Sequence, residues 1–123
     1  MIVHNVGSLE QFRQGHYNAV PLGGGKNSKV MLVCLESGQF IPVHDPGIDL
    51  CLLIIAGEGI LADEAGQRIG KAGDLLYVVA GEKRGLKATS RLVALAMVAP
   101  PPGPEDHVQV ERLLRKGRWC DDG

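Results

Sequence analysis

Turn signals divide this chain at short, even intervals, and that rhythm limits its fold more than any other feature. Ser37-Gly38, Asp45-Pro46-Gly47, Gly57-Glu58-Gly59, Glu64-Ala65-Gly66, Ala72-Gly73-Asp74 and Ala80-Gly81-Glu82 each follow a short run with strand-like residue types. Glycine supplies positive φ and proline a fixed φ, so such clusters end extended segments. Many short strands at regular spacing predict a β-sandwich or barrel. No long helical period separates them, which excludes alternating strand–helix topology.

The stretch Gly38 to Gly59 holds the centre of this pattern. A short extended run ends in His44, the Pro46-Gly47 break follows, and an apolar run from Leu50 to Ala56 closes on a second glycine turn. Further strands are expected over Tyr17 to Leu22, Lys29 to Glu36, Gln39 to His44, Gly59 to Asp63, Gln67 to Lys71, Leu75 to Val79, Arg84 to Thr89 and Leu92 to Val98. The runs Lys29 to Glu36, Leu50 to Ala56 and Leu92 to Val98 are apolar on both faces. Strands of that kind lie between two layers or under a subunit contact.

At the N-terminal end, Ile2 to Val6 reads as a short edge strand. Ser8 with Gln11 three residues on signals a short helix stopped by Gly15. Gly23-Gly24-Gly25-Lys26 lacks the spacing and the hydroxyl residue of a phosphate loop, and reads as a strand connection. After the proline run at 100–102, Glu105 to Lys116 predicts a helix, acidic at its start and basic near its end. Its Val110, Leu113 and Leu114 suit docking on the barrel or on a neighbouring subunit. Trp119 to Gly123 reads as a loose tail. The expected organisation is residues 1–28 completing the barrel, 29–102 forming its core, and 103–123 a helix and tail.

With 123 residues the chain makes one domain. A net charge of −1 gives no electrostatic footprint for nucleic acid or an anionic membrane. No apolar run approaches the ~20 residues of a membrane helix, and the start lacks the pattern of a signal peptide. Cys34, Cys51 and Cys120 form no C-x-x-C pair and read as two core residues and a tail thiol, which fits the cytoplasm.

The glycine frame resembles that of the cupin superfamily. Its first motif, G-x5-H-x-H-x3-E-x6-G, is matched at Gly38, His44 and Gly57. The second, G-x5-P-x-G-x2-H-x3-N, is matched in spacing by Gly73, Val79-Ala80-Gly81 and Arg84. The resemblance implies an all-β double-stranded β-helix, or jelly-roll barrel, with a short C-terminal helix. In metal cupins three histidines and a glutamate converge on a transition metal. Here the second histidine position is Pro46, the glutamate position Leu50 and the third histidine position Arg84. None of these can ligate, and a guanidinium keeps its proton. The expectation is therefore no metal and no other cofactor. Asp49 could join His44 only if the Pro46-Gly47 turn rotated the register.

What remains is an organic pocket. His44, Arg84, Phe40, Leu50 and Leu52 are its expected lining, alternation also placing Pro42 and Ile54 inward, and a small organic anion its expected ligand. An inward Arg84 beside His44 would receive a carboxylate, sulfate or phosphate. Outward, Arg84 would instead pair with Glu82 or Asp74 at the mouth. His44 is either a neutral core histidine bonded to a carbonyl or a base working near pH 7. Tyr77 could join His44 as catalytic acid, as in metal-free epimerase-type cupins; otherwise it is packing. Three functions stay open: a metal-free binding or sensing module, a metal-independent isomerase, epimerase or cyclase using His44 and Tyr77, and a structural or regulatory barrel with a filled interior. The doubly apolar strands predict a homodimer.

Overall fold

The computed structural model describes residues 1–120. Among the described residues, nine strands form two antiparallel sheets. The first sheet contains β1 (Asn18–Gly24), β2 (Lys29–Leu35), β9 (Leu92–Ala99), β4 (Asp49–Ala56) and β7 (Leu75–Val78), in that spatial order. The second contains β3 (Phe40–His44), β8 (Arg84–Ala88), β5 (Glu58–Asp63) and β6 (Gly66–Lys71). The helix α1 (Pro104–Arg115) follows the proline run. Each strand lies where alternation and turn residues predict it, within a residue or two at the ends.

Cross-strand register decides which side chains share a face. On the inner face of the first sheet, Met31 pairs with Ala96, Ala96 with Leu52, and Leu52 with Leu76. One residue along, the outer face carries Leu32, Leu95, Leu53 and Leu75 in one row. The main core lies between the sheets: Val33, Leu35, Leu52, Ile54, Leu86, Leu92, Ala94 and Ala96 are all buried there. Full burial of the Val, Leu and Ile side chains contributes about 1.5–3 kcal/mol each.

The doubly apolar strands have two separate explanations. The outer faces of β1, β2 and β9 are covered by the chain's own N-terminal segment: Val6, Leu9 and Phe12 pack on Leu22, Leu32, Cys34 and Val93. This segment is not the helix and edge strand expected from the sequence. Only one 3-10 turn forms, at Val6–Ser8. Anchors to other parts of the chain replace a helical ladder. Asn18 Nδ2 donates to the Gln11 carbonyl at 2.9 Å, and Gln39 Nε2 to the Arg13 carbonyl at 2.6 Å. The Arg91 guanidinium lies 4.3 Å over the Phe12 ring. Arg91 is held in turn by the Glu36 carboxylate at 2.7 Å. A capping-box spacing stabilises a helix by only about 1 kcal/mol, less than these contacts can offset. The outer faces of β4 and β7, by contrast, stay uncovered: Leu53, Ile55, Leu75, Tyr77 and neighbouring Met97 are exposed.

The C-terminal helix docks on the barrel, against β3. Trp119 is not part of a loose tail, because its carbonyl accepts the Val43 N–H at 2.6 Å. The expectation for residues 121–123 lies outside the described residues. No helix among those described is long and apolar enough to cross a membrane.

Candidate functional site

A cavity of about 770 Å³ opens between the sheets. A small residue helps to keep it open: Ala96 on the central strand β9 lines it where a larger side chain would fill the space. Met31, Val33, Leu50, Leu52, Leu61 and Leu86 give it an apolar wall. Leu50 and Leu52 thus face the interior as alternation from the sequence predicts. An interior filled by side chains, the third expectation, is not what forms.

Lys29, Asp63, Arg68 and Asp74 add charged groups to the lining. His44 and Arg84 are direct cross-strand partners on β3 and β8, and both line the cavity. Arg84 is only 6% exposed. Its Nε donates to the Glu82 carbonyl at 3.3 Å, and Nη2 donates to the Val79 carbonyl at 3.1 Å and the Glu82 carbonyl at 3.3 Å. The expected surface pairs with Glu82 or Asp74 side chains do not form; among the described residues the single ion pair is Arg91–Glu36. Nη1 of Arg84 has no acceptor among the described residues. It is not sealed off, since no buried side-chain nitrogen or oxygen there lacks a partner. Burial lowers the guanidinium pKa, opposed by Asp49, Glu82 and Asp45 at longer range. An arginine remains charged throughout the physiological range despite such a shift.

His44 Nδ1 lies 2.7 Å from the Pro42 carbonyl oxygen. A carbonyl only accepts, so Nδ1 carries the hydrogen, and in the neutral ring Nε2 keeps its lone pair. Burial pushes the imidazole pKa below its usual value. The Pro42 carbonyl opposes this, Arg84 adds to it, and Asp45 and Asp106 oppose it weakly. The net effect favours the neutral ring.

Phe40 does not line the cavity. It pairs with Lys87, on the outward row, while Ile41 pairs with Leu86 and faces inward. Counting by twos back from His44 points to Pro42 and Phe40. A register shift between Ile41 and His44 breaks that count. One extra residue in a strand returns the next side chain to the opposite face, so Ile41 and His44, three apart, share the interior. Pro42 is fully buried but contributes its carbonyl rather than its ring to this end of the site, and Ile54 lies in the packed core.

Tyr77 and His44 are not brought together as an acid–base pair. Tyr77 pairs with Cys51 on β4, between Leu76 and Val78, whose cross-strand partners Leu52 and Leu50 point inward. Its side chain therefore belongs to the outward face, 62% exposed at the cavity rim. Its neighbour is Asp49, whose charge raises the phenol pKa. Asp49 is likewise engaged outside, accepting from the Ala80 N–H at 2.8 Å.

Residues that the sequence reading missed complete the lining. Asp106, His107 and Val110 reach the cavity from α1, and Tyr17 from the residue just before β1. The helical signal for the first two was present: they lie four and three residues before Val110, on the docking face. Burial, with Glu111 nearby, raises the Tyr17 pKa. Its hydroxyl has no partner among the described residues and so meets open space.

The donor set does not fit a transition metal. Among the described residues no three His, Cys, Asp or Glu side chains converge. His44 and His107 both line the cavity, but His44 stands beside the buried Arg84 cation, which repels a metal ion. Fewer than three converging ligands do not hold such an ion.

No family model matches the sequence, and no curated protein matches it. Solved structures do. A protein from Thermus thermophilus superimposes with a TM-score of 0.78 at 21% identity, over 83% of this chain and 100% of that one. An RmlC-like cupin protein from Desulfovibrio desulfuricans gives 0.74 at 22%, over 83% and 99%. A predicted oxalate decarboxylase from Thermotoga maritima gives 0.63 at 23%, over 68% and 79%. At these identities the likeness defines the fold: the chain is a cupin-type double-stranded β-helix.

Proposed function

We propose that this cupin barrel is a metal-independent binding or sensing module for a small organic anion. One observation carries the reading: Arg84 is buried, faces the same cavity as His44, and has no carboxylate bonded to it. An unpaired buried charge is costly. Three backbone bonds fix the guanidinium without neutralising it, and they leave the Nη1 edge toward open space. A carboxylate or phosphate there would gain charge-assisted bonds in a low-dielectric setting. The apolar wall then accommodates the body of the ligand. The isomerase reading keeps its base in His44 Nε2 but loses the proposed acid, because Tyr77 points away.

Thermal unfolding with small carboxylates and inorganic phosphate tests this. A ligand at 100 times its Kd stabilises by about 2.7 kcal/mol, a shift of several degrees. Arg84→Lys retains the charge but not the planar fork and should weaken the response at least tenfold. No stabilisation by any carboxylate or phosphate would overturn the proposal. The same reading includes a homodimer paired through the uncovered faces of β4 and β7.

A further inference from the structure

Resting on that anion reading, we infer the ligand class more closely: a monocarboxylate with a hydroxyl on the adjacent carbon and an apolar tail. The two polar groups that stand side by side in the cavity make opposite demands. Arg84 offers only N–H donors at Nη1, so it requires an acceptor. His44 spends its one hydrogen on the Pro42 carbonyl at 2.7 Å, so its Nε2 requires a donor. A carboxylate oxygen against that lone pair would be repulsive. Direct cross-strand pairing sets the two side chains roughly 5 Å apart at their Cβ atoms. A 2-hydroxy acid satisfies both demands within one fragment, carboxylate to Arg84 and hydroxyl to His44.

The surroundings narrow the choice further. Asp45 and Asp106 stand near the imidazole and disfavour a second carboxylate at that position. Met31, Val33, Leu52, Leu61 and Leu86 form an apolar wall for the tail, while Lys29, Asp63, Arg68 and Asp74 also line the cavity. A branched or aromatic tail fits such a wall, and about 770 Å³ holds it.

Calorimetric titration at about pH 8, where imidazole is neutral, tests this with three probes. Leucic acid, used as both enantiomers, has the hydroxyl; isocaproate lacks it; the O-methyl ether of leucic acid keeps an acceptor but no donor. One leucic acid enantiomer should bind about tenfold or more tightly than isocaproate, from one buried hydrogen bond. The ether should bind no better than isocaproate. In His44→Phe the preference should collapse toward one. Equal binding of isocaproate and both leucic acid enantiomers would overturn the hydroxyl assignment and leave the anion reading standing. Equal binding of ether and hydroxy acid would do the same. Absence of binding by every carboxylate and by phosphate would sink both readings. The series on the unaltered protein decides the matter even where the His44 variant does not fold.

Discussion

Gly57 joins β4 to β5 and closes the first glycine motif, and its replacement by alanine separates two costs that usually occur together. The residue has φ +86°, a region that side-chain-bearing residues avoid. Gly73, with φ +96°, has the same backbone problem. The two differ in what a Cβ would meet. At Gly73 there is nothing within 4 Å. At Gly57 a Cβ would run into the Arg91 carbonyl oxygen and lie 2.8 Å from Leu92 Cα. Those atoms are backbone at the entrance to β9, the central strand of its sheet. They cannot swing aside as a side chain can. Moving them also pulls on Arg91, which holds Phe12 and Glu36. Gly73→Ala should therefore cost about 1–2 kcal/mol, the penalty of left-handed backbone. Gly57→Ala adds an overpacking cost of about 1–3 kcal/mol. The sum is a large part of the roughly 5–15 kcal/mol that a domain has. Urea unfolding of both variants, with unchanged m-values, measures the difference directly. In thermal unfolding each kcal/mol appears as about 3–5 °C at this chain length. Values for the two variants within about 0.5 kcal/mol of each other, the usual reach of minor effects, would refute the close-approach argument.

Three further outcomes are expected. His44 has a folded-state pKa below its usual 6.5, so its stabilising neutrality is intact above about pH 6.5. It is lost progressively as pH falls toward the folded value, because the unfolded chain binds the proton first. His44→Gln should flatten that part of the stability profile in urea midpoints taken at about pH 7.5 and 5.5; an unchanged slope would contradict it. Leu92→Ala, at a site with 0% exposure, should cost about 3–5 kcal/mol. Leu52→Ala, which borders the existing cavity and so has fewer partners to lose, should cost less by chemical denaturation; the reverse order would be inconsistent with the cavity. Sedimentation of the Leu53→Lys, Leu75→Lys double variant should give a monomer where the parent gives a dimer. A monomeric parent would remove the pairing proposal.

How much was legible beforehand differs between backbone and site. Turn chemistry is local, so glycine and proline placed every strand of the two sheets. The alternation of Leu50 and Leu52 correctly pointed inward, since β4 is regular there. It failed at Phe40 because a bulge in β3 depends on how β8 pairs with it, which residue types alone do not record. Of two tyrosines, Tyr77 was the apparent candidate by its nearness in sequence to Arg84. Register placed it outside and put Tyr17 at the cavity instead.

The sequence by itself settled a glycine-framed β-roll and showed that the metal-ligand positions hold Pro46, Leu50 and Arg84, because these are matters of residue type and spacing. Only the tertiary structure decided that Arg84 turns inward beside His44. It also decided that the N-terminal segment covers one outer face while another stays bare, and that α1 lines the cavity. Those outcomes depend on competition among distant surfaces for burial, and no local pattern encodes who wins it.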